Sequence, residues 1–153
     1  MKRIIVTILC AVLIFEAFCL SASAQEISES SVRIDYPDGS YCIQTIVVER
    51  SNSPFFTAAS TKAGTKSSRY YSASNVLQFT VTVRGTFSYN GTSATATSAQ
   101  YGYSISDNAW SFVSGSASCS GATATATCKF RSSPTASKTL SVSLTCSPTG
   151  VLS

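Results

Sequence analysis

The chain is 153 residues long, carries a formal charge of +4, and contains six cysteines and no histidine. Its mild basicity comes in no dense run, which argues against a dedicated nucleic-acid surface, and the missing imidazole excludes a Ser-His-Asp hydrolase. Charged residues make up only 12% of it, but aromatic and β-branched residues recur periodically, which a disordered, solvated chain has no need of.

In chain order, Lys2-Arg3 precedes an apolar stretch from Ile4 to Leu20, and Ala22-Ser23-Ala24 follows. Charge, apolar run and small residues in that order spell a secretory signal peptide, residues 1–24, cleaved after Ala24. A membrane anchor is the alternative, but the run is short for a span and Glu16 interrupts it. Cys19 follows Glu16-Ala17-Phe18, charged and bulky where attachment of a lipid to the cysteine wants small residues. Residues 25–153 are therefore expected to be one secreted domain without a membrane span. Losing Lys2, Arg3 and Glu16 leaves it at +3.

Residues 25–39 read as a mobile arm ending in the turn Tyr36-Pro37-Asp38-Gly39. Ser40–Arg50 is rich in β-branched residues on both parities, as in a strand covered on two faces. Residues 51–75 show no clear period. A connection that long is functional, partly mobile or hides a strand.

From Leu77 to Tyr89 the alternation is clean. Leu77, Phe79, Val81, Val83, Phe87 and Tyr89 share one face, and Gly85 interrupts it as an expected bulge. Asn90-Gly91 signals a two-residue hairpin that sets Phe87 against Ala94 and Gly85 against Ala96. Tyr101, Tyr103 and Ile105 continue one inward face, and Ser106-Asp107-Asn108 makes a turn. A hairpin at Ser120-Gly121 pairs Cys119 with Ala122 and Val113 with Cys128, all small or apolar inward. It also sets Phe112 beside Lys129 and Trp110 beside Arg131, two expected cation–π contacts. Lys138–Cys146 closes the chain with Leu140, Val142, Leu144 and Cys146 inward. Short strands with frequent turns and no helical period predict an all-β, immunoglobulin-like antiparallel β-sandwich of about seven strands.

Four cysteines remain after the leader: Cys42, Cys119, Cys128 and Cys146. In an exported chain they point to two disulfides. A tight hairpin holds Cys119 and Cys128 about 20 Å apart, so they should not bond to each other. The favoured pairing is Cys119–Cys146 with Cys42–Cys128. Cys128–Cys146 with Cys42–Cys119 stays open. No zinc-binding spacing accompanies them, and no cofactor or metal is expected.

No catalytic residue stands out. Glu26, Glu29, Asp35, Asp38, Glu49 and Asp107 are the acids after the leader, and the turn positions of Asp38 and Asp107 suit caps better than paired catalytic carboxylates. Outward threonines in Thr95–Thr97 and Thr123–Thr127 suit an ordinary soluble sheet better than an ice-binding array. The expected function is a secreted, non-enzymatic binding or structural module acting at or outside the cell envelope, meeting a cell-surface protein or a polysaccharide and no nucleic acid. Its carbohydrate-binding form would use exposed aromatics, with Tyr70, Tyr71 and Trp110 as candidates. For Tyr101 and Tyr103, which are also possible stacking residues, core burial is the simpler expectation.

The run VTVRGTFSYNGTSATATSAQYGYSISDNAW and the ending KTLSVSLTCSPTGVLS resemble a group of small exported β proteins of Gram-positive gut bacteria. These share a hydrophobic strand, an aromatic-Asn-Gly hairpin, a Tyr-Ser-Ile-Ser strand before Trp and a Leu-Thr-Cys ending. The resemblance spans residues 79–153. It implies an exported β domain and carries over no activity and no site residues.

Overall fold

The computed structural model describes residues 29–49 and 60–153. The expected signal peptide, Glu26 and residues 50–59 lie outside that range. The described residues form eight strands: β1 (Glu29–Asp35), β2 (Tyr41–Glu49), β3 (Ser60–Tyr71), β4 (Leu77–Tyr89), β5 (Ala94–Ile105), β6 (Ser111–Ser120), β7 (Thr123–Arg131) and β8 (Ser137–Thr145). They make two antiparallel sheets in the orders β1-β2-β3-β4-β5 and β6-β7-β8. The chain is an all-β sandwich in which, within each sheet, every strand pairs with its neighbours in sequence, so each layer is a meander. The connection Ser106–Trp110 carries the chain from one layer to the other. No helix among the described residues is long and apolar enough to cross a membrane.

The alternating segments fold as their period dictates. Phe79, Val81, Val83 and Phe87 of β4 are fully buried, and they meet Phe130, Ala124, Ala126, Val142 and Leu144 from the smaller sheet. Phe79 stacks on Phe130 with ring centroids 4.0 Å apart. The turn at Tyr36–Gly39 closes as expected, with the Tyr36 amide donating to the Ser40 carbonyl at 2.9 Å and Gly39 at φ 79°.

Two strands had no apolar alternation to announce them. Residues 29–35 of the expected arm pair along their whole length with β2 as β1. β3 places Lys62, Lys66 and Ser68 on the same face as Tyr70, toward the smaller sheet. The lysine stems supply the apolar cover while the amines look for polar company. Lys62 Nζ donates to the Gly150 carbonyl at 2.9 Å, and burial holds the Lys66 amine below its ordinary value.

Both expected hairpin registers move by two residues. Asn90 Oδ1 accepts from the Thr92 and Ser93 amides at 3.0 and 2.8 Å, so the loop takes four residues rather than two. Phe87 then faces Ala96 instead of Ala94, and beyond the bulge the shift grows to three, so Gly85 faces Ala99 instead of Ala96. The bulge falls between Thr86 and Phe87, not at Gly85. Gly85 is instead a point of close approach. A Cβ there would lie 2.7 Å from the Phe87 ring and 2.9 Å from the Ala124 methyl.

At the second hairpin the turn residues are Gly121 and Ala122, which sets Cys119 against Ala124 and Gly115 against Cys128. From Ser114 to Ser120 a shift of two leaves the side chains of β6 on their expected faces, because the strand period is two. A further irregularity at Val113 brings Phe112 opposite Phe130 and Lys129 opposite Ser114. The expected cation–π pairs therefore do not form. Arg33 lies over Tyr41 at 3.7 Å, and Lys138 lies over Tyr36 and Tyr70 at 4.1 and 4.8 Å.

Three strands do not cover five. The smaller sheet lies over β3, β4 and β5, so the β1 flank overhangs it. Val32 is 61% and Ile34 38% exposed there. On the opposite flank the edge strands β5 and β6 lie against each other. One end is closed by the C-terminal turn, where Thr145 and Ser153 exchange two backbone hydrogen bonds of 2.9 Å and Leu152 packs on Gly64.

Candidate binding face

Among the described residues, the β5–β6 flank carries the most exposed aromatic side chains. Tyr101 pairs with Val83 and Tyr103 with Val81, so both point toward the smaller sheet. Because β5 is an edge strand, their rings reach past the core, and they remain 43% and 45% exposed. The Tyr103 ring stacks on Phe112 at 3.9 Å and 2°. The Tyr101 ring lies 14° from the Phe112 plane with centroids 6.4 Å apart. It rests on bare backbone at Gly115, where a Cβ would fall 2.5 Å from the ring. Phe130 supports the group from the core side, edge-on to Tyr103 and Phe112 at 6.0 and 5.9 Å. The two tyrosine rings are thus nearly parallel, each backed by β6 and partly open to solvent, on residues about 7 Å apart along the strand. Each joins an apolar ring face to a polar hydroxyl rim.

The aromatics singled out from sequence do not gather on one surface. Tyr70 and Tyr71 are consecutive on β3 and so face opposite sides of the sheet. Tyr70 is 7% exposed and stacks on Phe79 at 4.9 Å. Tyr71 stacks on Tyr41 at 4.8 Å on the outer face. Trp110 is half-buried, edge-on to Phe79 at 5.1 Å and Tyr70 at 6.3 Å. Its Nε1 donates to Gln78 Oε1 at 2.8 Å. Tyr101 and Tyr103, expected in the core, are the ones left open. Alternation reports which face a residue takes. How far that face is covered depends on which strands end up at an edge.

A shallow cleft of about 340 Å³ opens beside Trp110, walled by Asn108, Ser111, Arg131, Ser132 and Ser133. It lies at the end of the β6–β7 pair, where Ser111 pairs with Arg131 on the face opposite Phe112 and Phe130.

The two expected disulfides are absent. Cys42, Cys119, Cys128 and Cys146 are all free thiols. The topology explains this. β7 lies between β6 and β8, which sets Cys119 and Cys146 two strand spacings apart, about 10 Å, whereas a disulfide needs Cα atoms within about 7 Å. Cys42 sits on β2, outside the cover of β7, and its Sγ lies 3.5 Å from the Tyr36 hydroxyl. The alternative pairing fails as well, because Cys128 and Cys146 are separated along the β8 direction. Burial raises the pKa of the Cys128 and Cys146 thiols, for Cys146 against the opposing charge of Lys62. Burial, then the hydrogen bond with Cys42, pushes the Tyr36 phenol up to about 12. With residues 1–24 removed, a thiol-reactive dye should modify Cys119 at once in the native protein. It should reach the other three only after denaturant is added, because they are buried and the dye must touch the sulfur to react. Fewer than four titratable thiols in the denatured, unreduced protein would overturn the assignment.

The acids serve as local supports. Asp38 accepts from the Ser40 hydroxyl and amide, and these bonds hold its carboxyl below the usual range. The Asp107 carboxylate accepts from the Ala109 amide at 2.9 Å. Asp35 pairs with Arg33 at 2.7 Å, and Glu49 takes a two-bond grip from Arg84 at 2.8 and 3.0 Å. The outward hydroxyls of Thr123, Thr125 and Thr127 bond across strands to Thr145, Ser143 and Ser141 at 2.8–3.0 Å. Among the described residues no three His, Cys, Asp or Glu side chains gather in a metal-binding group. No protein-family model matches this chain, and neither a curated protein nor a solved structure matches it.

Proposed function

We propose that this protein is a non-catalytic binding module, exported from the cell, that holds polysaccharide on Tyr101 and Tyr103. Export is supported by the leader pattern of residues 1–24 and by the resemblance of residues 79–153 to exported β proteins of Gram-positive gut bacteria. The ligand class is supported by one observation above the rest: two nearly parallel, half-exposed tyrosine rings on an edge strand, backed by Phe112 and Gly115. A sugar ring presents a flat C–H face bordered by hydroxyls, the complement of an aromatic face bordered by a phenol. Covering the exposed parts of both rings removes on the order of 150 Å² from water, about 4 kcal/mol. Association entropy takes much of that, so each contact is weak, and an open platform suits a polymer that repeats it.

Tyr103→Ala should weaken retardation in affinity gels containing soluble polysaccharide tenfold or more. Its melting temperature should fall by only a few degrees, because the ring is half out of water already. A wild-type protein that binds none of a broad glycan panel would sink the proposal and leave a protein partner as the reading to pursue.

A further inference from the structure

We infer that the polysaccharide is acidic and that Arg131 reads its carboxylate in the cleft beside Trp110, an inference that rests on the platform proposed above. The cleft neighbours the platform through the rings beneath both: Trp110 in the cleft wall is edge-on to Phe79, Phe79 stacks on Phe130, and Phe130 meets Tyr103 edge-on. Of the arginines the structure pairs, Arg33 is held by Asp35 and Arg84 by Glu49. Arg131 is exposed, and among the described residues no carboxylate pairs with it. No acid lines the cleft. The nearest in sequence, Asp107, spends a carboxylate oxygen on the Ala109 amide and its carbonyl on the Trp110 amide at 3.0 Å.

The other groups agree with a single sugar acid. The Trp110 N–H is already committed to Gln78, so the indole offers the cleft its apolar surface. The Ser111 hydroxyl is committed to the Arg131 carbonyl at 3.1 Å, which ties that wall to the end of β7. The Asn108 amide and the Ser132 hydroxyl remain at the rim for sugar hydroxyls. The planar guanidinium fork matches a carboxylate in two-bond geometry, and the volume lies at the small end of ligand pockets. A uronic acid unit satisfies all of these at once.

The test compares oligomers of polygalacturonic acid with the same oligomers methyl-esterified, by titration calorimetry at low salt on the protein lacking residues 1–24. The acid form should bind at least tenfold tighter. Arg131→Gln should bring its affinity down to that of the ester, and Lys129→Gln, which removes an equal charge nearby, should preserve the preference. Equal affinity for acid and ester overturns the inference while the platform stands. The same holds if the acid is preferred and Arg131→Gln leaves that preference intact. Binding of neither form, nor of any other glycan, overturns the platform and the inference together.

Discussion

Replacing Phe79 with alanine should lower the unfolding free energy by about 3–5 kcal/mol, the range for a large buried aromatic. Phe79 is fully buried and holds the two layers together at one place. It stacks on Phe130 of the facing sheet at 4.0 Å and on Tyr70 of the adjoining strand at 4.9 Å, and Trp110 meets it edge-on at 5.1 Å. The rings around it are fixed by strands on several sides, so the space left by alanine cannot close without moving backbone, and the cavity adds to the lost transfer energy. A domain of this size is ordinarily stable by only about 5–15 kcal/mol. The variant should therefore approach its unfolding midpoint at physiological temperature. Urea titration with an unchanged slope is the measurement. A loss below about 1 kcal/mol would mean that the layers are not joined through this ring.

Gly85→Ala should cost about 1–3 kcal/mol through overpacking. Gly85 shows no positive φ, so the backbone tolerates a side chain and the penalty is steric. The added methyl would meet the Phe87 ring at 2.7 Å and the Ala124 methyl at 2.9 Å, where β4 crosses β7. Neither neighbour has an open side to retreat to, because both are fully buried. Adding Phe87→Leu should recover part of the loss, and a double-mutant cycle would expose that coupling. Gly91→Ala is the contrast. It has φ 86° with nothing within 4 Å, so only backbone strain of roughly 1 kcal/mol is expected there. Equal losses at the two glycines would contradict the close approach between sheets.

Some of the binding face was visible in the residues themselves. The parity of Tyr101 and Tyr103 with Ile105 correctly placed both rings on the layer-facing side of β5. Their exposure was not visible. It depends on β5 being the last strand of its sheet and on β6 presenting Gly115, with no side chain, beneath Tyr101. The cleft was less visible still, since it brings the turn at Asn108 against the end of β7. The cysteines mislead for a related reason. Their number and the leader point to disulfides, while the distance between them is set by which strand lies between which.

From its residues alone, this protein declares a β architecture, the faces of β4, β7 and β8, and the positions of its turns. Those properties follow from a period of two and from the local chemistry of Asn, Asp, Gly and Pro, which act within a few residues. Tertiary structure decided the two-residue slips in register, the strand identity of residues 29–35 and 60–71, the free thiols and the open tyrosine platform. Each of these is a question of what lies across from a segment or on top of it. A strand partner or a covering sheet comes from elsewhere in the chain, and the spacing of nearby residues carries no record of it.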